Sequence, residues 1–245
     1  MLFADAFAWI LDPAHLSGRV DIPGHLLEHL RVSGICVLIA LLIAVPIGIA
    51  IGHTGKGRAA AIVISNITRA LPTLGLLSIL LLLVGVNIVP IVIVLVILGV
   101  PPMLAGVYAG IESVDRQTID AARAMGMTEW QIIREVELPL AAPLLIGGLR
   151  ATALQVIATL SIASSFAFGG LGIYLINGLA QGDYVQLLAG AILITALALI
   201  VDGVLAVVQR FVVPRGVALG RADPNGHQKR ARAPRPRVLQ EGMQS

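Results

Sequence analysis

Three charged side chains stand inside long apolar runs: Arg69 in "ISNITRALPTLG", Arg150 in "LLIGGLRATALQ" and Asp202 in "LALIVDGVL". The chemistry open to them is narrow. An ion surrounded by hydrocarbon is costly unless it is paired or wetted. These groups therefore either neutralise one another between helices or line a polar path. At about 1.5 Å of rise per residue, Arg69 lies about 15 Å, Arg150 about 12–15 Å and Asp202 about 15 Å from the same end of their runs, so one layer holds all three. A lone Asp202 carboxylate needs a partner there. Arg150 is the better candidate, because the runs carrying Arg150 and Asp202 are successive in the chain and successive elements tend to pack together. A bare arginine in the path would also repel a cationic substrate, which favours the neutralising role.

Other chemistry is excluded. The five histidines are scattered, and no His/Glu spacing suggests a catalytic metal. No Ser-His-Asp set can be drawn. Cys36 is the single cysteine, which rules out an intramolecular disulfide and leaves no thiolate cluster. "GHTGKGRA" from Gly52 contains Gly-Lys but lacks the spacing and the Ser/Thr of a phosphate loop. The chain is expected to be no enzyme and to hold no cofactor of its own. Aromatic residues make up only 4% of it, and Tyr108 is the one Tyr or Trp well inside an apolar run, so no aromatic cage for a quaternary ammonium is expected.

The elements that position these residues are membrane helices. Of 245 residues, 57% are hydrophobic and 13% charged, with a mean hydropathy of +0.92. Soluble domains carry about 25% charged residues, and a soluble core has no room for so much apolar surface. Five runs are long enough to span lipid, beginning at Val32, Ala59, Ile88, Leu140 and Leu187. The expected fold class is all-α, a polytopic transmembrane bundle. Pro46, Pro72 and Pro101-Pro102 are expected to interrupt helices, while Gly147-Gly148 fits close helix packing and Gly169–Gly172 a tight outer turn. Lys and Arg alternate between the connections: Lys56, Arg58, Arg116, Arg123 and Arg134 fall on one side, whereas 166–186 has none. The positive-inside rule then places the N-terminus outside and the C-terminus in the cytoplasm, with mild dissent from Arg19 and Arg31. Residues 1–31 read as an extracytoplasmic or interfacial segment, in which Phe3, Phe7, Trp9 and Ile10 suggest a short helix on the membrane surface, with a frayed terminus as the alternative. Residues 32–213 form the membrane domain. Residues 214–245 are a basic, Pro-containing tail, expected to be disordered and either solvated or in contact with anionic lipid.

The polar segment 113–139 is the exception in this oily chain. Asp115 can N-cap a helix through "QTIDAARAM", which Gly126 ends. Thr128 and Gln131 then form a capping-box pattern for "EWQIIREVE", and Pro139 precedes the fourth span. This describes two short helices joined by a glycine elbow. Ala121 and Ala122 are small enough for that face to sit deep in a groove on another protein, with Trp130, Ile132, Ile133 and Val136 anchoring the second helix. The residues alone leave two readings, a docking unit and an ordinary amphipathic connector.

"DAARAMG", nine residues, then "VELP" resembles the EAA loop of ABC-importer permeases, which reads Glu-Ala-Ala, three residues, Gly, nine residues, Ile-x-Leu-Pro. Asp120 replaces Glu and Val136 replaces Ile. Asp120, Ala121, Ala122, Gly126, Leu138 and Pro139 match in register. "RALPTLGLL", "GVPPMLAGVYAGIESVD", "GGLGIYLINGLAQGDY" and "AGAILITALALIVD" further resemble permeases of osmoprotectant importers for glycine betaine, carnitine or choline. The resemblance implies a type I ABC importer permease fold and a loop that couples to a separate ATP-binding subunit. It also implies an extracytoplasmic substrate-binding protein, a second permease copy or homologue, and no nucleic-acid partner. The outer gate facing the receptor would include Phe166, Gly169, Gly170, Tyr174 and Asp183, near Phe168 and Tyr184. A permease for methionine, phosphonate or sulfonate, and a non-transporting membrane scaffold, are the alternatives.

Overall fold

The computed structural model describes residues 2–18, 21–166 and 169–212. The basic tail from residue 214, Arg19 and Phe168 lie outside them. In chain order the helices are α1 (Leu2–Leu11), α2 (Ile22–Thr54), α3 (Arg58–Ala70), α4 (Thr73–Val84), α5 (Ile88–Glu112), α6 (Arg116–Ala124), α7 (Glu129–Gln131), α8 (Leu138–Ala163), α9 (Gly172–Gln181) and α10 (Tyr184–Val212).

Helix α5 is the centre of the bundle, packed along both α2 and α8. The reason is side-chain size. On α2, Cys36, Ala40, Ala44, Gly48 and Gly52 recur every fourth residue and are all buried, a stripe that lets a neighbouring backbone come close. A Cβ on Gly48 would come within 2.7 Å of Val107 and one on Gly52 within 2.6 Å of Ile111, both on α5. The other side of α5 meets α8 through Gly106 and Gly148, backbone against backbone. Gly147 has open space where a Cβ would stand, so only half of the expected glycine pair makes the contact. Leu77, Leu81, Ile91, Leu95 and Val156 fill the core beside these seams.

Among the described residues four helices are long and apolar enough to cross a membrane, and a bent pair would make a fifth if it is one span. The run from Ala59 was expected to be one helix. It is α3 and α4, bent by 85°. The residue before a proline avoids the helical region, and Leu71 is extended at φ −69°, ψ 129°. Helix α3 buries only Ala61, so little packing resists the break. Pro46 and Pro101-Pro102, by contrast, interrupt nothing: α2 and α5 run through them unbroken. Both helices are clamped by neighbours, and close packing in lipid holds a proline-containing helix together.

Two further expectations change. Helix α2 begins at Ile22, well before Val32, with Asp21 capping its first turn by accepting a hydrogen bond from the Gly24 N–H at 3.1 Å. The N-terminal α1 is no bare surface anchor. Phe3 and Phe7 are exposed, but Trp9 packs on Ile22, Leu171, Tyr174 and Leu197 and meets the Tyr174 ring edge-on at 5.6 Å.

Candidate coupling site and intramembrane ion pair

The polar segment folds as local chemistry dictates at its turns. The Gln117 N–H donates to Asp115 Oδ1 at 3.0 Å, starting α6. At its end the Met127 N–H reaches the Ala122 carbonyl at 3.2 Å and the Gly126 N–H the Arg123 carbonyl at 2.9 Å. That pair of bonds requires a left-handed residue, and Gly126 sits at φ +86°. Thr128 and Gln131 then close a full capping box.

Beyond this the segment departs from two short helices and a break. Ile132–Glu137 forms π turns that run straight into α8, making one rod from Glu129 to Ala163. The Pro139 ring would clash with the carbonyl four residues back in an α-helix. The wider π turn relieves that clash, so Leu138 and Pro139 sit in the first turn of the span rather than before it. The elbow is thus fused to α8.

Its inner face holds Val114, Ile119, Ala122 and Ile132, with Met127 and Val136 against them. Ala122 is 2% exposed, so its small size serves the elbow's own core, where α6 folds back over Ile132, rather than a groove on another protein. Asp120, Ala121 and Met125 remain on the open face of α6. The anchoring residue is Ile132, fully buried, whereas Trp130 is 68% exposed. A helix leaving Thr128 in this direction turns position 132, not 130, toward α6.

Polar contacts tie the elbow to the rest of the bundle, and the sequence reading missed them. His53, in the last turn of α2, sets Nδ1 at 2.8 Å from Glu137 Oε2 and Nε2 at 3.1 Å from Glu129 Oε2. The Arg123 guanidinium grips Glu129 at 2.8 and 3.0 Å. Arg58 meets Glu112 at 2.6 Å nearby. Scattered histidines gave no signal, since His53 and Glu137 are 84 residues apart. A carboxylate at position 137, between Val136 and Leu138 and at the mouth of a span, was the one available clue.

In the membrane interior the structure brings Arg150 and Asp202 together. The guanidinium meets both carboxylate oxygens, Nε to Oδ1 at 2.8 Å and Nη2 to Oδ2 at 2.7 Å, a bidentate fork that suits Arg. Gln209 accepts from Arg150 Nη1 at 3.1 Å and donates to the Pro143 carbonyl at 3.0 Å. Gln209 also escaped the sequence reading, although it lies two helical turns beyond Asp202 on the same face. Arg69 does not join. The bend after α3 leaves it exposed in that helix's last turn, and the depth assigned to it assumed a straight span.

A cavity of about 180 Å³ lies between α2, α8 and α10, lined by Ser33, Val37, Leu149, Ala153, Val201 and Leu205 among others. It holds no aromatic ring or charge, and so has no means of gripping a quaternary ammonium.

At the opposite end of the bundle, the expected outer residues are held by α2. The Gly170 N–H donates to Glu28 Oε2 at 2.9 Å and the Leu171 N–H to His29 Nδ1 at 3.3 Å. With Nδ1 accepting, His29 Nε2 carries the proton and donates to the Ile157 carbonyl at 3.2 Å. Phe166 and Gly169 are half-buried and Gly170 is buried. Asp183 is exposed and caps α10 by accepting from the Val185 and Gln186 N–H groups at 3.0 and 3.1 Å. Tyr174 departs from the expected receptor-facing position: it is 2% exposed, because its face of α9 turns onto α10 and α1.

Residues 44–215 match the family model described as the binding-protein-dependent transport system inner membrane component. The chain belongs to that family. Its permease relatives include the glycine betaine/carnitine/choline transport system permease protein OpuCB of Bacillus subtilis, 38% identical over 190 residues, covering 78% of this chain and 88% of that one. The osmoprotectant import permease protein OsmW of Salmonella typhimurium is 29% identical over 195 residues, covering 78% and 91%. Among solved structures, an inward-facing form of the MetNI methionine ABC transporter superimposes with a TM-score of 0.68 at 22% identity, over 77% of this chain and 94% of the other. The fold is therefore that of an ABC importer permease, and the protein is a multi-pass component of the cell membrane. As a permease subunit it is a transport component and not an enzyme, and its family works with a substrate-binding protein.

Proposed function

We propose that this permease subunit forms the translocation path of an ATP-driven importer for quaternary-ammonium osmoprotectants such as glycine betaine, carnitine or choline. The observation that carries the reading is the elbow. Its open face presents Asp120 and Ala121 at the end of a bundle, and its second arm is fused to a spanning helix. A push on the elbow therefore becomes a movement of α8. A separate subunit binds ATP and docks on the elbow. The substrate class follows from what the relatives are named for. Substrate selection rests with the binding protein, in keeping with the cavity's lack of aromatic side chains. A second permease, identical or homologous, completes the path.

The test is uptake of labelled glycine betaine, carnitine and choline into proteoliposomes holding this chain, its ATP-binding subunit and the binding protein. ATP-dependent accumulation of at least one is expected, and accumulation of methionine alone would replace the substrate class. Gly126→Val should insert yet couple poorly. A non-glycine residue at φ +86° costs about 1–2 kcal/mol, and a β-branched one more, so the elbow would leave its docking geometry. Normal transport and normal ATPase stimulation by this variant would remove the elbow from the mechanism.

The elbow end is cytoplasmic in this reading, and Phe166, Gly169, Gly170 and Asp183 lie on the receptor side, with Tyr174 supporting them from the core. A cysteine at Asp183, in a variant whose Cys36 is replaced by alanine, should react with a membrane-impermeant maleimide on intact cells. Reaction only after lysis would invert the topology.

A further inference from the structure

Resting on the coupling reading above, we propose that His53 is the positioning residue that locks the elbow to the first spanning helix. Through it, a push received by the elbow moves α2 together with α8.

The elbow is covalently joined to α5 at one end and to α8 at the other, but not to α2. Its link to α2 is a chain of charged contacts: Asp120 to Arg123 at 3.4 Å, Arg123 to Glu129 at 2.8 Å, Glu129 to His53 at 3.1 Å and His53 to Glu137 at 2.8 Å. The chain starts on the open face of α6 and ends inside the bundle. The Glu137 side chain is 2% exposed and that of His53 13%, so the inner half is sheltered from water. A buried carboxylate needs a donor, and at position 137 His53 meets that need. Each ring nitrogen faces a carboxylate oxygen. A neutral imidazole donates from one nitrogen only, whereas the imidazolium donates from both. The charged ring is thus the form that holds both arms of the joint. Because α2 packs along α5 through its small-residue stripe, and α5 along α8, a joint at His53 makes these three helices respond as one body. Without it the elbow acts directly on α5 and α8, and α2 follows only through the packing between helices.

The experiment uses the complete transporter, with the ATP-binding subunit and a binding protein supplied with glycine betaine, carnitine or choline. Wild-type chain that fails to retain the ATP-binding subunit on purification would overturn the coupling reading and this proposal with it. Given retention, His53→Gln should keep the subunit and its basal ATP hydrolysis. Binding-protein-stimulated hydrolysis and uptake should fall on the order of tenfold, the size of an ordinary coupling between sites. Glu129→Gln, at an exposed position that leaves the fold alone, should shift both readouts the same way by less. The double variant should be no worse than His53→Gln, since both break one link. His53→Lys, a cation with three donors, should restore most of the stimulation. Wild-type coupling in His53→Gln, loss of the ATP-binding subunit in that variant, or His53→Lys no better than His53→Gln would each overturn the proposal. If His53→Gln does not accumulate, Glu129→Gln decides, and unchanged stimulation there would overturn it.

Discussion

Asp202→Ala is expected to lower the amount of folded protein recovered from the membrane several-fold, and far more than Asp183→Ala. The two aspartates differ in what they leave behind. Removing Asp183 uncaps α10 at an exposed end, where water replaces the carboxylate. Removing Asp202 strands the Arg150 guanidinium against helices in hydrocarbon, with only the Gln209 amide oxygen still facing it. Truncating one member of a sheltered ion pair is worse than removing both, because the surviving charge keeps its desolvation cost and loses its counter-charge. Asp202→Ala with Arg150→Ala should therefore recover part of the loss, and the charge swap Asp202→Arg with Arg150→Asp should recover more than either single change. Size-exclusion chromatography of detergent extracts gives the folded fraction, and abundance responds several-fold to modest changes in stability. Equal yields for Asp202→Ala and Asp183→Ala would mean that the pair holds nothing together. Normal yield with abolished transport would instead move the pair from structure into the path.

Gly148→Leu is expected to be as damaging, by a different route. At Gly106 a Cβ would come 2.6 Å from the Gly148 Cα and 2.8 Å from the Leu144 carbonyl oxygen. A Cβ on Gly148 would come 3.0 Å from the Gly106 Cα and 3.2 Å from the Pro102 carbonyl oxygen. These neighbours are backbone, so no rotamer change makes room. Helices α5 and α8 must separate, and every contact along their shared length loosens with them. Overpacking a well-filled core costs about 1–3 kcal/mol, and a leucine at a glycine–glycine crossing belongs at or above the top of that range. The control is one residue away. A Cβ on Gly147 meets nothing within 4 Å, so Gly147→Leu should stay within about 0.5 kcal/mol of wild type. Thermal melts of the detergent-solubilised protein compare the two. Similar melting temperatures would show that α5 and α8 do not cross at this pair.

Local features of the elbow could be read residue by residue. The Asp115 cap, the Gly126 turn and the Thr128–Gln131 box each depend on groups a few residues apart, so the sequence contains the whole interaction. The spans were legible for a related reason. Lipid offers no hydrogen bonds, so any helix crossing it must show a long apolar run. The pairing of Arg150 with Asp202 was also within reach, because two unlike charges in successive spans have few other ways to be neutralised. Ala122 and Trp130 were misassigned because their types are right for docking and anchoring, while the direction each faces depends on how α6 folds back.

What the sequence by itself determined, then, is whatever is set by nearest neighbours along the chain or by the demand of the lipid: an all-helical membrane protein, the number of its runs, and a capped elbow of recognisable spacing. Only the tertiary structure decided which prolines break a helix. Pro72 and Pro46 look alike in sequence, but α2 is clamped against α5 and α3 is not, and packing outweighs the proline's local penalty. Only the tertiary structure brought His53 to Glu137 and Gln209 to Arg150, or turned Tyr174 into the core. Those contacts join groups distant along the chain, whose approach is set by glycine-sized gaps between helices rather than by any signal near the residues themselves.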